Sequence, residues 1–211
     1  MGTTAIIGHG KTVEGRGWGP MINAQACVVR MWDCQWQTEV DYGSRYDYGL
    51  IEVHKGVMDK FWAHNARQPA IGWIASTMDK GPIPLPSPVE LLSQQQWVEA
   101  GSRAGVNGRG ERGKWELTRG TIAACWAIER AAAGDEVILV GFDNVRAGRC
   151  LTMHDGFPKA YRGAPTTFTF KGYKEGEVRY GYHDFSAEWP LLRLLAERRE
   201  VHVAFSDEVW V

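Results

Sequence analysis

"AIIGHGKTVEGRGWGPMINAQACVVRMWD", residues 5–33, decides the fold. An apolar run over residues 4–7 breaks into glycines at Gly8 and Gly10. A short helical pattern follows at 18–23, and a second apolar run occupies 26–31. Two runs of this kind on either side of a helical stretch predict parallel strands joined by a crossover. The alternation continues down the chain, with strand-like runs at 48–54, 70–75, 137–142 and 201–205 and helical patterns at 56–65, 88–100, 120–133 and 187–198. Together they predict one α/β domain over residues 1–211, a mostly parallel twisted sheet flanked by helices. In such sheets ligands sit beyond the carboxyl ends of the strands, which puts the turn at Gly8 at the expected site.

Composition limits the functions open to the chain. Its 211 residues carry a formal net charge of −1, so no overall electrostatic case exists for a nucleic-acid or membrane partner. No apolar stretch approaches the roughly 20 residues needed to span a bilayer, and the N-terminus lacks a basic start and a long apolar core. The expectation is a soluble, cytoplasmic protein. Cys27, Cys34, Cys125 and Cys150 form no CxxC pair and no zinc spacing, which favours buried apolar thiols. Two segments interrupt the alternation. Residues 80–90 are proline-rich and read as an extended connection. Residues 101–120 are glycine-rich and basic, with Arg103, Arg109, Arg112, Lys114 and Arg119 against Glu111 and Glu116, and read as a mobile loop over 101–119.

The opening turn fits neither of two common phosphate-binding patterns. GxxxxGK[ST] ending at Thr12 needs a glycine where Ala5 stands, and GxGxxG needs a small residue where Val13 stands. What survives is a strand ending in glycines, whose backbone N–H groups can approach a ligand closely, and a further glycine series at Gly15, Gly17 and Gly19.

Four segments in order resemble the sialyltransferase family. Residues 5–33 resemble its large sialylmotif, and "DYGSRYDYGLIEVH" (41–54) resembles the segment that follows it, matching at Asp41 and Gly43. "LTRGTIAACWAIERAAAGDEVILVGFD" (117–143) resembles the small sialylmotif. "HDFSAEWPLL" (183–192) fits the very small motif, a histidine followed five residues later by a glutamate. Departures stand at His9 and Trp32, where the family has asparagines that contact the cytidine nucleotide. The bridging cysteines of secretory-pathway members correspond here to Thr4 and Gly134, which agrees with folding in a reducing compartment.

The resemblance implies a Rossmann-like, sialyltransferase-type GT-A variant that moves a sugar from a CMP-activated donor to an acceptor hydroxyl with inversion. It implies His183 as general base and Glu188 as its support. Donor contacts are implied at Gly8, His9, Gly10, Arg30, Trp32, Thr118, Gly120, Thr121 and Gly141, with His154 as the candidate for the donor phosphate. An imidazole, with an ordinary pKa of roughly 6.5, suits a base at neutral pH. Ser186 reads as the N-cap of the following helix, with Glu188 in its first turn and Pro190 where a missing N–H costs little. On spacing alone the alternative is a surface histidine beside a cap and a glutamate that merely complements the dipole. Thr118, likewise, is either a helix cap or a ligand contact at a helix start.

No D-x-D element occurs, which fits transfer without a metal or other cofactor. Two further readings stay open. One is a DNA acceptor with hydroxylated bases, held by the basic loop with Trp97 and Trp115 at its margins. The other is a nucleotide-binding module without transfer activity. Trp18, Trp32 and Trp36 stand near the expected site, for stacking or for the core.

Overall fold

The computed structural model describes residues 2–31, 34, 37–53, 68–77, 88–109, 115–149, 179–180 and 183–210. Seven strands form a sheet in the order β5-β4-β3-β2-β1-β6-β9, every neighbouring pair parallel. They are β1 (Thr3–Ile7), β2 (Cys27–Met31), β3 (Tyr48–Val53), β4 (Gly72–Thr77), β5 (Val89–Leu92), β6 (Glu136–Val140) and β9 (His202–Phe205). A two-stranded antiparallel ribbon, β7 (Arg179–Tyr180) with β8 (His183–Asp184), stands apart from it. The helices are α1 (Gly19–Asn23), α2 (Glu39–Tyr42), α3 (Gln95–Arg103), α4 (Arg119–Arg130), α5 (Asp143–Ala147), α6 (Phe185–Arg199) and α7 (Ser206–Val209), with a 3-10 turn at Lys11–Val13.

The order reverses between β1 and β6, which is the switch point where open α/β sheets leave a crevice at the carboxyl edge. Parallel strands need both faces covered, and both are. On one face α4 lies over the central strands. Its residues Thr121 to Ile128 are all buried, and the small Ala123, Ala124 and Ala127 let it approach closely. The other face packs Ala5, Ile7, Val28, Ile138 and Val140 against Val13, Trp18, Ile22 and Tyr42. Because α4 precedes β6 and α6 precedes β9, both helices run antiparallel to the sheet and begin at its carboxyl edge.

The pattern at 88–100 divides. Val89 to Leu92 pair with β4, and the helix begins only at Gln95. Residues 101–103 of the expected loop complete that helix. The helical pattern at 56–65 and most of the proline-rich stretch lie outside the described residues. Cys34 and Cys125 are buried and Cys27 partly so. Among the described residues no helix is long and apolar enough to cross a membrane.

Candidate active site

The glycines after β1 serve the fold. Gly8 N–H donates to Val140 C=O at 2.7 Å and Gly10 N–H to Gly141 C=O at 2.8 Å. The N–H groups expected to face a ligand therefore bond the end of β6. A Cβ on Gly8 would stand 2.6 Å from the Gly141 carbonyl oxygen, and one on Gly10 would stand 2.5 Å from the Asp143 carboxylate. That carboxylate accepts from Thr12 N–H at 3.1 Å and from its hydroxyl at 2.6 Å. Gln37 and the Tyr42 hydroxyl donate to the carbonyls of Gly8 and Gly10.

The glycine series is turned inward as well. Gly15 and Gly17 have φ of +71° and +67°, and the Asp41 carboxylate accepts from Gly17 N–H at 2.9 Å. The N–H groups of Gly17, Gly15 and Arg16, with the Thr38 hydroxyl, hold Asp41 below its ordinary pKa. This is an anion-binding nest whose anion is part of the chain. Arg30, expected at the donor, is 1% exposed and donates to the carbonyls of Tyr42, Gly43 and Arg45 and to Gln37 Oε1. It braces the segment after α2, which accounts for a buried guanidinium without a ligand. His9 is buried just past the end of β1. Trp32 and His154 lie outside the described residues, as does Trp36.

A second group forms where α4 and α6 begin. Thr118 caps α4, its hydroxyl accepting from Thr121 N–H at 3.4 Å. Glu188, fully buried, reaches across from α6. Its Oε1 accepts from Thr118 N–H at 2.7 Å, and its Oε2 lies 2.8 Å from the Thr118 hydroxyl and 2.7 Å from that of Thr121. Glu188 stands in the first turn of its own helix, as the spacing suggested, and also serves the positive end of α4. Burial is the leading cause that pushes its carboxyl up to about 7, against the three donors that favour the ionised form, while the Asp184 charge adds to the rise.

His183 is half-buried on β8 opposite Tyr180, and its Nδ1 stands 2.8 Å from Glu116 C=O. A carbonyl only accepts, so Nδ1 carries the proton and Nε2 of the neutral ring is the basic nitrogen. The N-cap of α6 is Asp184, two residues before the expected Ser186, because the ribbon keeps 183–184 extended. Pro190 consequently falls inside the helix and removes the bond to the Ser186 carbonyl.

One ring joins the two groups. Phe142 stands between Gly8 and Gly120, 3.2 Å and 3.0 Å from where a Cβ would sit on each. Gly8, Gly120, Thr118, Thr121, Gly141, His183 and Glu188 thus gather at one end of the sheet. A cleft of about 310 Å³ opens beside them between the ends of β6 and β9, over Leu139, Phe142 and Phe205. Of the sequence-derived site residues among the described ones, only Gly141 lines it. Asp184 escaped the sequence reading, although an aspartate two residues before a serine at a helix start signals a cap. Trp97 and Trp115 are buried, Trp97 donating to Glu129 at 2.6 Å, so neither forms the expected stacking surface beside the basic loop. Trp18 is core, edge-on to Trp210. No cluster of three or more metal-ligating side chains occurs among the described residues.

No family model matches the chain, and no curated protein matches its sequence. Among solved structures, the crystal structure of a mammalian sialyltransferase superposes over 96% of this chain and 68% of its own, with a TM-score of 0.51 and 14% identity. A mammalian sialyltransferase in complex with Gal-beta-1-3GalNAc-ortho-nitrophenol covers the same shares at a TM-score of 0.47 and 16% identity. The seven parallel strands, their flanking helices and this superposition give the chain a sialyltransferase-like fold.

Proposed function

We propose that the protein is an inverting glycosyltransferase that moves a sugar from a CMP-activated donor to an acceptor hydroxyl, with His183 as general base. The observation that carries this reading is the His183 contact with Glu116. In the neutral ring it leaves Nε2 as the basic nitrogen, which supports Nε2 as the proton acceptor at the edge where three resembling segments meet. In the transfer, Nε2 takes the acceptor proton and the freed oxygen attacks the anomeric carbon. The bond to the phosphate breaks, and the nucleotide departs with its electron pair. Charge developing on that phosphate is met by the start of α4, whose dipole and opening N–H groups favour an anion. Thr118 and Thr121, ordered by Glu188, shape that start.

The test is transfer from CMP-, UDP- and GDP-linked sugars to a panel of glycans and hydroxylated DNA, paired with nucleotide binding by thermal shift. His183→Ala is expected to lower kcat by roughly 10² to 10⁴ while CMP still raises the melting temperature. Equal turnover in His183→Ala and the parent would remove the base. A thermal shift with CMP but no transfer to any acceptor would favour the binding-module reading.

A further inference from the structure

Three polar side chains at or just before the start of α6, His183, Asp184 and Glu188, hold three points of the segment that leads into α4. His183 bonds Glu116 C=O and Glu188 bonds Thr118 N–H. Between them in sequence, Asp184 reaches further back. Its Oδ2 accepts from Arg109 N–H at 2.8 Å, and its Oδ1 accepts from Ser186 N–H at 3.2 Å and from the Ser186 hydroxyl at 2.6 Å. The residue is 5% exposed.

A helix cap alone uses one oxygen. Here the second oxygen of a buried carboxylate takes a backbone donor 75 residues away, and a charged acceptor makes that bond stronger than a neutral one. Its position also matters, because the α-carbon of Asp184 directly follows that of His183. A carboxylate held at both oxygens also restrains the backbone on which the imidazole is mounted.

We propose that Asp184 is a positioning residue for the transfer reaction: its carboxylate, divided between the α6 cap and Arg109 N–H, fixes where His183 stands. This rests on the transferase reading above. Losing such a support typically costs 10- to 100-fold in activity, since a misplaced reacting group forfeits proximity without losing its chemistry.

The test separates the two bonds. Serine is as good a helix cap as aspartate but too short to reach Arg109, so Asp184→Ser keeps the cap and removes the staple, whereas Asp184→Ala removes both. The readouts are melting temperature, kcat and donor KM, and hydrogen–deuterium exchange at residues 106–109 of the whole protein. Asp184→Ser is expected to melt near the parent, to exchange faster at Arg109, and to show a kcat 10- to 100-fold lower with donor KM within about threefold. Asp184→Ala is expected to add a loss of melting temperature. Full kcat in Asp184→Ser would reduce Asp184 to a cap and overturn the proposal, as would unchanged exchange at Arg109. If the parent transfers no sugar, the transferase reading falls and takes the positioning role with it. Faster exchange in Asp184→Ser would then still report the staple.

Discussion

Replacing Glu188 by glutamine should stabilise the protein increasingly as pH rises from about 4.5 to about 7. The carboxyl is completely buried, and its pKa rises from 4.5 to about 7, chiefly through desolvation. The folded state therefore keeps a proton that the unfolded chain releases. Stability from this group is fully present below pH 4.5, declines as pH rises and is gone above about 7. At 1.36 kcal/mol per unit the loss is about 3 kcal/mol. Glutamine keeps an acceptor for Thr118 N–H, offers its amide to the two threonine hydroxyls and carries no titrating proton. The assay is thermal unfolding at pH 5 and pH 8. About 0.8 kcal/mol of that stability is already lost at pH 5, half a unit above the unfolded value, which leaves about 2.5 kcal/mol between the two pH values. For a chain of this size about 2–4 °C accompanies each kcal/mol, so the advantage of Glu188→Gln should widen by roughly 5–10 °C between them. Glu188→Ala orphans the Thr118 N–H and at least one hydroxyl at about 1–3 kcal/mol each, and should melt well below glutamine at both. An advantage that does not change with pH would refute the argument from burial. Equal melting of the alanine and glutamine variants would refute the bonding argument.

Gly10→Ala should cost about 1–3 kcal/mol by pushing the Asp143 carboxylate off Thr12, and Asp143→Ala should recover part of that loss in a double-mutant cycle read by denaturant unfolding. Gly8→Ala meets the Gly141 carbonyl and the Phe142 ring, so the same rescue should fail there. Arg30→Lys should cost about 2–4 kcal/mol in the same measurement, because an ammonium cannot reproduce a fork that reaches four acceptors in a site 1% exposed.

The sheet was legible because buried parallel strands read as apolar runs, and six of the seven were found within about two residues of their bounds. Strand β5 was missed. Only Ser93 and Gln94 separate "VELL" from the helix, with no glycine or proline to mark the boundary, and pairing with β4 makes it extended. The start of α6 was misjudged for a related reason. Asp184 and Ser186 are equally good caps, and the choice rests with a ribbon partner that local sequence does not reveal. Motif spacing brought His183, Glu188 and Thr118 to one place, yet it could not say what each side chain touches. Arg30 and the glycines carried the motif pattern and turned out to close the turn on itself. A buried guanidinium bonded to three backbone carbonyls has no local signature, since those carbonyls belong to residues 42–45, more than ten positions away.

That inward closure narrows where an anion can be held. Asp41 occupies the nest at Gly15–Gly17, Asp143 takes the Thr12 donors, and Gly8 and Gly10 bond β6. Of the sequence-derived donor positions among the described residues, the start of α4 is a dipole-favoured place, and Glu188 stands there already. When Glu188 is protonated, the helix end is uncompensated and attracts a phosphate. When it ionises, a carboxylate offsets the same dipole, an effect of about 0.3–1 kcal/mol. Affinity for CMP should therefore weaken roughly two- to fivefold as pH rises through about 7, whereas Glu188→Gln should hold the lower-pH affinity throughout. Calorimetric titration at pH 6 and pH 8 measures it. The phosphate's own second ionisation runs in the opposite direction, so the comparison is between parent and Glu188→Gln at each pH. Parallel profiles for the two proteins would mean that the nucleotide is held somewhere other than the helix end that Glu188 closes.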